Sequence, residues 1–397
     1  MEKLWTKDFL IISMSNFIFY LVYYSFMIIV AMYAIQELGT THSQAGLTVG
    51  VFMISALVFR IISGKYIEIV GRKRMLLVGT AVFIIGTALY FTVHSVQVLY
   101  AVRLFHGIGF GITTTAASTI AAIITPAKRL GEGLSFFMMS TVLASAVGSL
   151  LGMYIYRFNG VYAVSAVGLA LLGLCLAGSL FLAIPEQAYG EKNRQDSHIG
   201  VQGTTFRYWL ASYFEIKALP ISAIGLIVFF SYSSIIGFIA TYATNLGLPE
   251  GASFYFFVYS VALLLSRPFT GKLFDRKGAD FVLYPSFIIL ALGFILVSQA
   301  YSNFLLLLSA AFVGIGFGTF TASARTVAVE GLPDSRMGMA TATYLAISEI
   351  GVGLGPYFVG IFISFIGFRT MYLCMFLCVM ISLLLYRQFV SRKRKKQ

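Results

Sequence analysis

Gly64-Lys65-Tyr66-Ile67-Glu68-Ile69-Val70-Gly71-Arg72-Lys73-Arg74 has a second copy, Gly271-Lys272-Leu273-Phe274-Asp275-Arg276-Lys277-Gly278, displaced by 207 positions. Arg60 and Arg267 stand four residues before the first glycine of each copy, and Glu68 and Asp275 four residues after it. Each copy follows one apolar run and precedes another. That placement predicts a tight, charged hairpin between two membrane helices, with glycines where the backbone turns or helices come close. The basic residues face Glu68 or Asp275 across a few positions, so charge pairs that break and remake would clasp the loop. The gating set on this reading is Arg60, Gly64, Glu68, Gly71, Arg72, Arg267, Gly271, Asp275 and Arg276.

The offset continues outward. Gly107-Ile108-Gly109-Phe110-Gly111 recurs as Gly314-Ile315-Gly316-Phe317-Gly318. Pro126, Arg129 and Gly131 map onto Pro333, Arg336 and Gly338, Gly148 onto Gly355, and Phe158/Gly160 onto Phe365/Gly367. One constant offset from Arg60 to Gly160 means no net insertion between two copies of a five-helix arrangement. An internal repeat fixes architecture before any local reading does. Two homologous halves of this kind are related, in transporters, by an axis along the membrane normal.

Composition agrees. The chain is 59% apolar and 11% charged, with a mean hydropathy of +0.88, which excludes an ordinary soluble domain. Cys175, Cys374 and Cys378 all lie inside apolar runs with no metal-ligand spacing, so they read as packing residues. The net charge of +13 sits in short loops and not on one soluble face, which speaks for membrane orientation and against nucleic acid. The first apolar run lacks a small-residue cleavage site and reads as a retained helix.

Stretches of roughly 20 apolar residues, enough to span a bilayer, occur twelve times: 9–36, 44–63, 75–94, 96–124, 134–156, 161–184, 219–246, 253–271, 281–299, 303–331, 339–365 and 368–387. Lys3, Lys7, the 64–74 loop, Lys128, Arg129, the 186–218 connector, the 272–280 loop, Arg336 and the tail from Arg392 fall on one side. Lys and Arg stay cytoplasmic, which puts both termini and the connector inside a multi-pass cell-membrane protein. The expected domains are a six-helix bundle over 1–186, a cytoplasmic connector over 187–217, and a second bundle with a basic tail over 218–397. Phe206, Tyr208, Trp209, Tyr213 and Phe214 alternate with Arg207, Glu215 and Lys217. That mixture suits a helix lying in the interface ahead of the seventh span.

With these motifs the sequence resembles the major facilitator superfamily over nearly its whole length. The family's loop between helices 2 and 3 is matched by Gly64, Glu68, Gly71, Arg72 and Lys73, with Glu68 for the usual aspartate and Ile69 for the usual arginine. The copy with Asp275 and Arg276 is closer to the pattern. Arg103, Gly107 and Gly109 match the fourth-helix motif. The antiporter motif of the fifth helix is matched imperfectly by Ala144, Gly148, Ser149 and Gly152, because Ser149 replaces a proline. Its eleventh-helix equivalent, Gly351, Gly355 and Pro356, is intact. The resemblance implies an all-α membrane fold of twelve helices in two pseudo-symmetric halves, of the proton-coupled drug and metabolite efflux type. The partners expected are a small-molecule substrate, protons and the bilayer; the chain is expected to act as a monomer, without cofactor, metal or nucleic acid.

Charges at membrane depth are expensive and mark pathways. Glu349 lies about ten residues into the eleventh span, close to the midplane at a rise of about 1.5 Å per residue. It reads either as a proton carrier, its carboxyl desolvated into a titrating range, or as the salt-bridge partner of Arg325. Glu330, nearer the cytoplasmic end, reads as a gate or packing charge. Arg103 reads as tuning a nearby carboxylate or as binding an anionic substrate, and the resemblance assigns it to proton transfer. His106, one turn on, shares its face and either titrates or packs through hydrogen bonds. On the first span, Asn16, Tyr20, Tyr23 and Met27 form a stripe; Ser231, Tyr232 and Ser234 are offered by the seventh. Both sets are candidate substrate contacts or plain packing. No acid lies deep in the first or fourth span, which disfavours a strongly cationic substrate. No P-loop or nucleophile–base set supports ATP drive or covalent chemistry. The expected function is proton-coupled efflux, with proton symport uptake as the alternative and a non-transporting receptor or scaffold as the third.

Overall fold

The computed structural model describes residues 4–126, 129–184, 215–332 and 334–392. Among them run ten helices: α1 (Lys7–Gln36), α2 (His42–Val70), α3 (Arg72–Ala88), α4 (Val96–Ile124), α5 (Leu130–Leu180), α6 (Leu219–Asn245), α7 (Pro249–Lys277), α8 (Ala279–Ser298), α9 (Asn303–Val329) and α10 (Asp334–Leu385). All ten carry a window long and apolar enough to cross a membrane. A helix apolar on every side has no aqueous face to present, so lipid or protein must surround it.

Two of the helices are double. At 51 and 52 residues, α5 and α10 would each run about 75 Å if straight, against a hydrocarbon core of about 30 Å. Each is broken by one glycine with positive φ, Gly160 (φ 71°, ψ −177°) and Gly367 (φ 74°, ψ 170°), a conformation that side chains resist. In α5, Gly133 packs against Leu4, while Ala183, just past the other end, donates its N–H to Asp8 at 3.1 Å. Both ends of α5 therefore meet the start of α1, and the chain doubles back at Gly160. In α10, Gly355 packs against Ser233 and, beyond Gly367, Tyr372 donates to the Ser234 carbonyl at 3.4 Å. The ten helices thus supply twelve membrane-length legs in an all-α fold.

The repeated charged stretch is not a hairpin loop. Helix α2 continues through Gly64 to Val70, and Gly71 alone (φ 93°) separates it from α3; Gly278 (φ 80°) does the same between α7 and α8. A Cβ on Gly64 or Gly271 would meet nothing within 4 Å, so those two glycines are not sites of close approach here. The side chains of Glu68 and Asp275 lie outside the described residues, as does the connector over 185–214.

By its contacts the chain divides into two compact units, residues 1–190 with 252–257 and residues 191–251 with 258–397. In the first, α1 packs on α5, and α4 lies against α2 and α3; in the second, α6 packs on α10 and α9 on α8. The same corners are tied in each unit by different chemistry. Lys73, at the start of α3, donates through Nζ to the carbonyls of Leu180 and Leu182, both at 2.8 Å. Its repeat equivalent Asp280, at the start of α8, accepts from Tyr386 Oη and Ser391 Oγ, both at 2.7 Å. A π-helical turn over Tyr386–Ser391 brings those two hydroxyls to the same carboxylate. Arg129 pairs locally with Glu132 at 2.7 Å, whereas its equivalent Arg336 reaches Glu215 at 2.9 Å.

Candidate functional site

The glycine-rich helices α4 and α9 set the geometry. A Cβ on Gly107 would collide with the Phe52 carbonyl, and one on Gly109 with the backbone of Phe83. Their equivalents Gly314 and Gly316 meet Tyr259 and Leu290 in the same way. Small residues thus let helix backbones touch, which lays Phe110 and Phe317 against the first helix of each unit.

There each phenylalanine finds a tyrosine. Tyr23 of α1 stacks on Phe110 (centroids 4.7 Å apart, planes at 18°) and on Phe52 of α2 (5.3 Å, 27°). Tyr232 of α6 stacks on Phe317 (3.8 Å, 16°) and on Tyr259 of α7 (5.7 Å, 24°). Tyr20 and Tyr24 extend the first cluster, Tyr20 lying edge-on to Phe110 at 5.2 Å and Tyr24 edge-on to Tyr23 at 4.7 Å. The Tyr23/Tyr232 offset is 209, not 207, because the link after α6 is two residues shorter than the link after α1.

The polar centre of the first unit is Arg103, wholly buried on α4. Its Nε donates to the Thr48 carbonyl (3.0 Å) and Nη1 to Tyr90 Oη (3.2 Å). Nη1 also lies 3.4 Å from His106 Nδ1, and Nη2 donates to Met27 Sδ at 3.5 Å. The guanidinium covers the Phe52 ring at 4.2 Å, a cation–π contact. His106, equally buried, has its Nε2 3.2 Å from Thr87 Oγ1. Among the described residues no carboxylate forms an ion pair with Arg103.

The structure therefore brings together four of the expected residues, Arg103, His106, Met27 and Tyr23, through Phe52. Asn16 stands apart, its Nδ2 donating to Ser140 Oγ (2.8 Å) and Thr141 Oγ1 (3.2 Å) on α5. Ser231 and Ser234 give their hydroxyl protons to carbonyls of their own helix, Ile227 and Ser231. In the second unit Glu349 is half-buried midway along the α10 leg that ends at Gly367, while Arg325 is exposed on α9 and Glu330 exposed at its C-cap. Arg60 is half-buried within α2 and Arg267 exposed within α7, while Arg72 is half-buried at the start of α3 and Arg276 exposed at the end of α7. Sequence reasoning passed over Phe52, Tyr90, Phe110, Tyr259 and Phe317. The available signal was an aromatic residue in both copies at the Phe52/Tyr259 and Phe110/Phe317 positions.

The profile of the Major Facilitator Superfamily matches this chain over residues 12–298 and again over 221–397. The chain belongs to the Major Facilitator Superfamily. An uncharacterised MFS-type transporter of Methanocaldococcus jannaschii is 25% identical, with 87% of this chain and 88% of that protein covered. The staphylopine export protein of Staphylococcus aureus is 22% identical, covering 88% of each. Among solved structures, the nucleoside transporter NupG superposes with a TM-score of 0.77 over 97% of this chain and 100% of that one, at 16% identity, a likeness of fold. This superfamily member is a multi-pass membrane transporter, not an enzyme.

Proposed function

We propose that this transporter is a proton-coupled exporter of small amphipathic molecules, working by alternating access between halves spanning 1–186 and 218–397, with both termini on the cytoplasmic side of the cell membrane. One observation carries the proton coupling. Every other acidic residue in the described helices lies within a turn of a helix end or caps one, and Glu349 alone sits mid-leg. A carboxyl there binds a proton from one side in one access state and yields it to the other side in the next. Arg103, His106, Arg325 and Glu330 are the remaining members of the proposed coupling set.

Tyr20, Tyr23 and Met27, with Tyr232 as the counterpart of Tyr23 in the repeat, are the proposed substrate contacts, their rings suited to amphipathic molecules. Asn16 ties α1 to α5 and Ser234 bonds its own helix in this conformation, and both reach substrate only if these bonds are exchanged. The paired α2/α3 and α7/α8 corners, through Arg60, Gly64, Glu68, Gly71, Arg72, Arg267, Gly271, Asp275 and Arg276, are the proposed gates. Efflux is favoured by the likeness to the staphylopine export protein and by Gly351 and Gly355, which seat α10 against Leu226, Phe230 and Ser233 of α6. Proton symport uptake is the second reading, favoured by Ser149, buried where the antiporter motif carries proline.

Proteoliposomes with an imposed pH gradient test both. The parent should move substrate uphill against the proton flow, and Glu349→Gln should lose uphill transport while keeping passive exchange. Uphill transport by Glu349→Gln at the parent's rate overturns Glu349 as carrier; accumulation in the same direction as the protons establishes symport.

A further inference from the structure

The two units offer an internal control for the Arg103 cluster. Shifted by 207, Thr87, Tyr90, Arg103 and His106 become Phe294, Val297, Ala310 and Val313, all fully buried. Shifted by 209 along the first helix, Met27 becomes Ile236, also buried. The same helix packing is thus built with apolar side chains alone, around glycines at the same positions. Burying a guanidinium without a counter-charge is costly, and the second unit shows that the fold does not require it.

The hydrogen bonds fix the protonation pattern. Arginine donates only, so His106 Nδ1 must accept from Arg103 Nη1. Thr87 gives its hydroxyl proton to the Phe83 carbonyl at 2.8 Å, leaving Oγ1 to accept from His106 Nε2–H. His106 is therefore neutral, with its proton on Nε2, in this conformation. A proton on Nδ1 removes Arg103's acceptor and sets two cations against each other in a cage of rings.

We propose that His106 is a second proton-binding site of the transporter, and that its protonation expels the Arg103 guanidinium from the cage. The groups facing the imidazole are few. Arg103 lies on its own helix, Phe26 on α1, Phe52 on α2, Phe83 and Thr87 on α3, and Tyr90 on the turn that follows α3. Tyr90 and Arg103 are the only titratable groups among them, and neither neutralises an imidazolium. Arg103 joins α4 to α2 through Thr48, to α1 through Met27 and to the α3 end through Tyr90. Its departure breaks the side-chain ties of α4 to three elements for the addition of one proton.

The test uses the full chain in lipid nanodiscs. Nitrogen-15 NMR of its four histidines, His106 assigned by His106→Asn, should show the Nε2–H tautomer at alkaline pH. Hydrogen exchange in the α2 segment around Thr48, corrected for intrinsic rates, should lose protection on acidification as His106 titrates. His106→Asn retains an acceptor for Arg103 but binds no proton, so the acid-induced loss should vanish. Glu349→Gln should keep it. An Nδ1–H tautomer in the parent overturns the proposal, as does an unchanged acid transition in His106→Asn or its disappearance in Glu349→Gln. If His106→Asn does not fold, the parent's tautomer and the coincidence of the imidazole titration with the loss of protection decide alone. The result is independent of whether Glu349 carries the transported proton.

Discussion

Tyr23 and Tyr232 hold the same place in their units, each lying flat against a phenylalanine of the glycine-rich helix and against a second ring, Phe52 or Tyr259, of the neighbouring helix. Both are buried, and Tyr23 Oη reaches the weak acceptor Met53 Sδ at 3.7 Å.

The stack should depend on the ring more than on the hydroxyl. Tyr232→Ala removes a ring 3.8 Å from Phe317 and should cost about 3–5 kcal/mol, as large-to-small changes at buried aromatic sites do. Tyr23→Phe should cost less than about 1 kcal/mol. Unfolding midpoints in detergent compare the two, and equal losses would rule out ring packing as the main contribution.

Glycines should separate into two groups. Gly109→Ala drives a Cβ into the Phe83 backbone and should lower the thermal midpoint and the yield of folded protein. Gly64→Ala, in a helix with nothing within 4 Å of the new atom, should be neutral or stabilising by up to about 1 kcal/mol. A destabilising Gly64→Ala would point to a close neighbour that this conformation lacks.

Glu215 is nearly enclosed, and Arg336 is the cation beside it at 2.9 Å. Arg336→Met strands that carboxylate and should cost about 1–3 kcal/mol. Adding Glu215→Gln should recover most of the loss, since the neutral amide needs no counter-ion. Recovery is read from the yield of folded protein in the single and double variants.

At the corner closed by Asp280, Asp280→Ala leaves the buried Tyr386 hydroxyl and Ser391 without their acceptor, a loss of about 1–3 kcal/mol per stranded group. Lys73→Met should be milder, because the Leu180 carbonyl lies at an exposed helix end where water replaces the ammonium, and only Leu182 is buried. Thermal melts of the two variants should rank in that order.

Much of the fold was legible in the sequence because membrane spans announce themselves through composition, and because the repeat keeps one offset from Arg60 to Gly160. The charged stretch was misread at its edges. Polar residues near a membrane surface do not end a helix, and α2 runs on through Lys65 and Glu68 until Gly71 permits the turn. The first-helix equivalence stayed hidden because the shorter link after α6 moves its offset to 209. In the candidate site, Arg103 and His106 could be placed on one face by helical spacing. Thr48 and Tyr90, which complete the cage, come from other helices and make their bonds through a carbonyl and a single hydroxyl. Such partners leave no spacing to read.

Gly160 and Gly367 make their reversals with one residue each, where most membrane hairpins spend several. A protease needs a length of extended chain to thread its cleft, and neither reversal supplies one. Limited digestion of the folded protein should therefore leave 130–180 and 334–385 as uncut fragments, whichever side of the bilayer the enzyme is added to. An epitope tag spliced beside either glycine would have to unwind a turn of helix to be seen. Reporters intended to follow this protein in living cells belong in other segments of the chain.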